Sequence, residues 1–358
     1  MATESNLANR VRAAVRDKVP GVALIVVGPE GVRSREAIGF ADLLAQTPMS
    51  TDQAMPWFSM TKIATATTVM RLVERDVIEL DEPVAPHVAA VRSIRPSDWA
   101  KRITPRHLLQ HSGGLANPIP VKWIHPPDRP RPDPDAFLEG LLSKHANLRF
   151  EPGTRSSYSN LGTLMLGAAI AHVIGRPYED LVREEVLEPV GMSSTGYSFP
   201  TGIIAATGYH PRWSPMRPLL PRWVQGPSTG KWMALRPFLV DGAAYGGLVG
   251  TPEDAARFLQ MHLRDGELDG TKLISTETAV EMRHIDKRGR RFDLGLGWFV
   301  PANRREASPP FVEHLGGGAG FFNVVRMYPT VGVGAVVMGN STKYGIDSVA
   351  KLALDHPS

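Results

Sequence analysis

Apolar and polar positions divide the chain into ends that read as strands and a middle that reads as helices. Residues 21–27 are an unbroken apolar run and residues 32–40 a mixed one, with Gly28-Pro-Glu-Gly31 between them. Two strand-like runs around a Gly/Pro turn predict a β-hairpin. Upstream, residues 7–18 space their apolar side chains as an amphipathic helix does. After the hairpin, residues 64–72 predict a buried helix. From Leu80 to about residue 234 the pattern predicts mostly helix and long loop, with helices at 161–174 and 178–187. A helix over 253–263 is announced by Thr251-Pro252, because proline suits the first helical position. Strand candidates follow at 294–299, 321–328 and 332–338, then a terminal helix from Ile346.

Strands at both ends with helices between predict an α+β fold, an antiparallel β-sheet flanked by helices plus a mainly helical domain. Residues 1–80 and 235–358 are expected to share the sheet domain, and residues 81–234 to form the mainly helical one with long Pro/Trp-rich loops. No internal repeat or low-complexity segment is apparent.

The chemistry begins at Ser59-Met-Thr-Lys62. Residues three apart share a helix face, so Lys62 can point at the Ser59 hydroxyl. A serine hydroxyl is a weak nucleophile until a base sits within hydrogen-bond reach. A lysine serves as that base only if its pKa falls, through partial burial and nearby positive charge. Trp57, Phe58, Met60 and Ile63 offer an apolar surround, and the helix that follows would hold the serine at its N-terminal end.

The four-residue motif alone is unspecific. Ser228-Thr-Gly-Lys231 and Ser348-Val-Ala-Lys351 also fit it. Ser348 falls in the terminal helix, after every other candidate motif. Ser228 falls in a Pro/Trp-rich loop without helix pattern. Only Ser59 follows a hairpin, starts an apolar helix and precedes Tyr158-Ser-Asn160. Gly226-Pro-Ser-Thr-Gly230 imitates a nucleophile elbow, which needs a buried strand before it and a helix after it. The prolines at 218 and 221 argue against a central strand there. His107 and His111 stand at a zinc-compatible spacing, but no glutamate follows the first and no third ligand is evident. No metal or cofactor is expected. Without cysteine, thiolate chemistry is excluded.

Further blocks extend the pattern: Ile103-Thr-Pro-Arg-His-Leu-Leu-Gln-His-Ser-Gly-Gly-Leu115, Phe150-Glu-Pro-Gly-Thr154, Gly246-Gly-Leu-Val-Gly-Thr-Pro-Glu-Asp254, Gly295-Leu-Gly-Trp298 and His314-Leu-Gly-Gly-Gly-Ala-Gly320. In this order, over roughly residues 20 to 345, the chain resembles the class C β-lactamase-type serine hydrolases, which include carboxylesterases, D-aminopeptidases and penicillin-binding relatives. The resemblance implies the layout above, with the active site in a cleft between the two parts. It implies that Ser59 becomes acylated, that Lys62 relays its proton and that Tyr158 is the second proton-transfer group. A phenol near pKa 10 needs a neighbouring cation to act as a base, and Lys62 is the obvious one. Asn160 would orient Lys62 or hold the substrate carbonyl. The backbone N–H groups of Ser59 and Gly317 would form the oxyanion hole.

The third motif departs from the β-lactamase pattern of Lys-Thr-Gly. Here it is His314-Leu315-Gly316. Leu315 lacks the threonine hydroxyl and His314 lacks a permanent charge, and both lost groups help bind anionic substrates. The expectation moves toward neutral esters: a carboxylesterase on small hydrophobic esters, working through an acyl-serine. An amide or peptide hydrolase, D-aminopeptidase-like or a weak β-lactamase, is the alternative, for which His314 or Arg326 could bind a charged group. A non-catalytic ligand-binding scaffold is a third reading.

Two proline-rich segments look like substrate walls. Residues 117–134 and 200–237 hold seven prolines each. Long loops in compact domains often serve as lids. Trp223 and Trp232 are expected to line an apolar pocket, with surface packing or a dimer contact as the competing role. Composition changes little: 42% hydrophobic, 21% charged, net charge +4. The basic residues are dispersed, and the turn at 287–291 reads as solvated, so the partner expected is a small ester or amide and not nucleic acid. Residues 1–20 are polar with four basic residues, unlike a signal peptide, and 161–174 is too short to span a bilayer. A cytoplasmic location is the expectation.

Overall fold

The computed structural model describes residues 6–355. The first five and last three residues of the expected sheet unit lie outside the described residues. Eight antiparallel strands form the main sheet. In chain order they are β1 (Gly21–Gly28), β2 (Gly31–Asp42), β3 (Thr47–Pro48), β4 (Phe292–Leu294), β5 (Phe299–Pro301), β6 (Val312–Gly318), β7 (Phe321–Tyr328) and β8 (Val333–Gly339). Their order across the sheet is β4-β5-β6-β7-β8-β1-β2-β3. The last long strand, β8, lies beside the first, with Ile25 opposite Val336.

The unbroken apolar run of β1 follows from burial on both faces. Ile25 and Val27 face the larger core, shared with helix α2 (Thr61–Glu74). Val22, Leu24 and Val26 face a second core, under α1 (Asn6–Val15) and the terminal helix Ile346–Lys351. Strand β2 lies nearer the edge, and Ala41 is its one buried residue. Alternation of side chains across a strand produces this division.

Helix α2 is buried from Thr61 to Met70. Its threonines survive there by bonding locally. Thr65, Thr67 and Thr68 donate to the Thr61, Ile63 and Ala64 carbonyls. Side-chain bonds of this type satisfy a hydroxyl without leaving the helix.

Two expectations need correction. The strand expected at 294–299 is a turn between two strands, β4 and β5. Gly297 there has φ +92°, and a Cβ on it would sit 2.5 Å from the Ala66 Cβ. The chain bends so that helix α2 can pass. The stretch around Ser228, expected as irregular loop, is a strand, Gln225–Thr229, paired with Trp232–Leu235 and through it with Tyr209–Pro211. It is the edge strand of that small sheet, where prolines at 221 and 227 displace no ladder bond. Ser228 is exposed, and a second strand follows it where an elbow would need a helix.

Arg326 is buried on β7. It donates to Glu313 at 2.6 Å and to Asp347 at 2.8 Å, and its guanidinium lies 4.3 Å from the Phe311 ring centre. It is therefore spent on the sheet and has no reach to substrate. Arg326→Met leaves Glu313 buried without its cation, so urea denaturation is expected to show a loss of about 3–5 kcal/mol. A loss below about 1 kcal/mol would mean the pair is a surface-like contact.

Candidate functional site

Ser59 lies in a single helical turn, Phe58–Met60, that runs directly into α2. Phe58, just before it, has φ +48°, a left-handed conformation that a bulky side chain adopts only when its surroundings enforce it. The enforcement is visible. The Phe58 ring packs at 6.2 Å from Phe238 and 6.4 Å from Phe321. The glycines of β6 close the other side. A Cβ on Gly318 would fall 2.2 Å from the Phe58 ring, and one on Gly316 would fall 2.1 Å from the Trp57 carbonyl oxygen. Glycine at these positions lets the strand press against the serine turn.

Lys62 is 4% exposed. Its Nζ lies 2.6 Å from the Tyr245 carbonyl oxygen, 2.9 Å from Asn160 Oδ1 and 3.1 Å from Ser59 Oγ. Burial lowers its pKa well below the ordinary 10.5. A neutral amine has two N–H bonds and one lone pair. The two fixed carbonyl acceptors take the N–H bonds, which leaves the lone pair facing the serine hydroxyl. The Ser59 O–H can then donate to Nζ. The nearby positive charge expected to lower this pKa is not the cause; desolvation is.

Tyr158 is partly exposed and lines the same pocket as Ser59. Lys62 Nζ lies 5.0 Å from its ring centre. Burial pushes the phenol pKa up. Burial dominates both shifts, lowering Lys62 and raising Tyr158, so the phenol is suited to pass a proton and not to hold a negative charge. His111 packs against Tyr158 with ring centres 4.3 Å apart and accepts from the Ser159 N–H through Nδ1. Burial, with Lys62 nearby, lowers its pKa to about 3. His107, four residues before it, caps its own short helix by accepting from the Thr104 N–H.

The third-motif residues divide. Gly317 lines the open cleft beside Ser59 on both sides. His314 and Gly316 do not. His314 is 1% exposed, donates Nδ1–H to the Leu315 carbonyl at 2.9 Å, and faces a closed space of about 10 Å³ behind Lys62. Burial lowers its pKa, so it offers no cation. The tryptophans are corrected too. Trp223 packs against the main core. Trp232 lies under Lys231, one residue from buried Met233 and so on the opposite strand face. Neither lines the cleft.

Two pockets meet at Ser59. One, about 370 Å³, is walled by Phe58, Ile119, Val121, Leu220, Phe238 and Val240, with Asn160 and His210. The proline-rich loops supply part of these walls, through Ile119, Val121 and Leu220. The other, about 640 Å³, is polar and holds Asn117, Tyr158, Arg149, Arg290 and Arg291. Sequence reasoning missed Tyr245, whose contribution is a carbonyl that no side-chain pattern reports. It also missed the arginine cluster, in which Arg149 comes 141 residues before Arg290 along the chain.

A family model described as Beta-lactamase matches residues 7–355. The chain belongs to this family. It is a serine hydrolase of the β-lactamase and penicillin-binding superfamily. It is 26% identical to the D-alanyl-D-alanine-carboxypeptidase/endopeptidase AmpH of Escherichia coli K12, over 78% of this chain and 69% of that protein. It is 30% identical to esterase EstB of Burkholderia gladioli, over 55% of this chain and 52% of the esterase. In fold it matches the D-amino acid amidase of Ochrobactrum anthropi SV3, with TM-score 0.80, 24% identity, and 98% and 99% of the two chains covered. No helix among the described residues is long and apolar enough to cross a membrane.

The buried amine carries a measurable linkage. Between its folded pKa and 10.5, the unfolded chain holds a proton on Lys62 that the folded chain lacks, so stability rises with pH in that window. Wild type is therefore expected to gain stability relative to Lys62→Met from neutrality toward about pH 10, measured by denaturation at matched pH. Parallel curves would show that Lys62 is charged in the folded state.

Proposed function

We propose that this protein is a carboxylesterase that cleaves small hydrophobic esters through an acyl-serine on Ser59. The observation that carries this reading is the buried Lys62 amine, within hydrogen-bond distance of two carbonyl oxygens and of the Ser59 hydroxyl, with Ser59 lining an apolar pocket.

Ser59 Oγ attacks the ester carbonyl carbon while its proton passes to Lys62 Nζ. The carbonyl oxygen becomes an oxyanion, to which the Ser59 and Gly317 N–H groups are the candidate donors. The proton then reaches the leaving alcohol oxygen through the Tyr158 hydroxyl as the carbon–oxygen bond breaks. Water attacks the acyl-serine, gives its proton to the same Tyr158–Lys62 pair, and releases the carboxylic acid with Ser59 restored. Asn160 is a positioning residue, since it holds one of the amine's hydrogens. The neutral, buried His314 supports uncharged esters, because it removes the cation that a Lys-Thr-Gly strand would present. The named esterase among the relatives supports the same reading.

One observation favours amide or peptide substrates. Arg149, Arg290 and Arg291 line the polar pocket beside Ser59 and Tyr158, all exposed. They could hold a terminal carboxylate, such as the carboxypeptidase among the relatives is named for. If so, the double variant Arg290→Ala/Arg291→Ala is expected to raise KM for an acyl-dipeptide with a free carboxylate about tenfold or more, leaving KM for its methyl ester nearly unchanged. Equal KM changes for both would exclude the arginines as a carboxylate site.

Two measurements test the esterase. Brief incubation with a p-nitrophenyl ester or a fluorophosphonate is expected to leave an adduct on Ser59 by intact mass. Ser59→Ala should lose the adduct and on the order of 10⁴-fold or more in kcat. An adduct surviving in that variant would move the nucleophile elsewhere. The pH profile of kcat/KM is expected to fall only on the acid side, where Lys62 gains its proton, and to stay level to about pH 10, because Tyr158 keeps its own proton there. A second fall on the basic side below that pH would mean a phenol of ordinary acidity.

A further inference from the structure

His210 is a polar residue of the apolar pocket that apolar esters do not explain. It is 7% exposed, and neither ring nitrogen has a hydrogen-bond partner among the described residues. Buried polar groups in folded chains are nearly always paired, so an unpaired one asks for an explanation. Other unpaired buried atoms, such as Trp57 Nε1 and Trp298 Nε1, belong to core residues. His210 lines the cavity that also holds Ser59, with both nitrogens covered in this conformation, so a turn of the ring brings one of them to a ligand.

Its placement is rigid. His210 sits on the strand Tyr209–Pro211, opposite Met233. The strand is pinned by the Tyr209 N–H donating to the Asn340 carbonyl at 3.0 Å and by the Leu43 N–H donating to the Tyr209 hydroxyl at 2.7 Å. The imidazole is thus held ready on a fixed element. No carboxylate, ammonium or guanidinium lines the same pocket, so nothing there favours a charged ligand. Burial lowers the His210 pKa, which leaves the ring neutral, with one N–H to donate and one nitrogen to accept.

We propose that His210 determines specificity in the acyl pocket, by hydrogen-bonding an uncharged hydroxyl or amide carried on an otherwise apolar acyl chain. This rests on the acyl-serine reading above. A pocket built to pair a polar group discriminates against analogues that leave its own polar atom unpaired.

The test uses p-nitrophenyl esters of straight-chain acids from butanoic to octanoic, each methyl-terminated ester paired with its hydroxyl-terminated counterpart. The readout is the ratio of kcat/KM within each pair, in which any unfolded fraction cancels. At one chain length the wild-type ratio is expected to exceed that of His210→Leu by about tenfold, with His210→Gln between them. The same ratio in wild type and His210→Leu at every length would overturn the proposal. If His210→Leu does not fold, a wild type that cleaves every hydroxylated ester more slowly than its partner would overturn it as well. The N-methyl amides of the same acids, titrated by calorimetry, separate the two readings. Tighter binding of a hydroxylated amide that depends on His210, without ester turnover or a Ser59 adduct, would sustain the pocket and sink the esterase. Ester turnover without any hydroxyl preference would do the reverse.

Discussion

Everything at this site depends on one buried amine. Lys62 lies where water does not reach, and the loss of hydration makes its charged form expensive. A neutral amine still has two hydrogens to satisfy, and the fold provides two carbonyl oxygens for them, from Tyr245 and Asn160. These come from opposite parts of the chain. Once both are engaged, the remaining lone pair can face only Ser59. The neutrality of the base and its direction therefore have one cause, the closing of helix α2 against the 243–246 turn and the Asn160 helix.

The close packing around the serine follows from the same closure. Strand β6 presses its glycines onto Trp57 and Phe58, and the ring of Phe58 is caught between Phe238 and Phe321. The strained φ of Phe58 is held by this packing. Histidines at 111 and 314 fill the space behind Tyr158 and Lys62 as neutral rings, so they set shape and dryness without adding charge. The charged groups stay outside, on the arginine-lined side of the cleft, while the opposite side is mainly apolar and carries no charged side chain. Ser59 thus stands at a border between two environments, and the orientation of a bound substrate follows from which end is apolar.

The chain also shows how different kinds of signal survive in a sequence. The apolar run of β1 and the proline-capped helix at 252 were legible because period and capping are local properties. Ser59, Lys62 and Tyr158 were legible because their order and spacing are constrained by chemistry. The turn at Gly297 was not, since its cause is Ala66, more than two hundred residues away along the chain. The edge strand holding Ser228 was hidden by its prolines, which an edge tolerates and a centre would not.

By itself the sequence determined the α+β layout, the serine and lysine on one helix turn, and the replacement of a charged third motif by His314-Leu315-Gly316. Only the tertiary structure decided which groups carry charge and which face substrate. It put His314 behind the lysine, tied Arg326 to Glu313, turned Trp223 and Trp232 away from the cleft, and brought Arg149 beside Arg290. The physical reason is that pKa values and pocket walls are set by burial and by neighbours in space. Those neighbours here come from distant parts of the chain, so no local pattern records them.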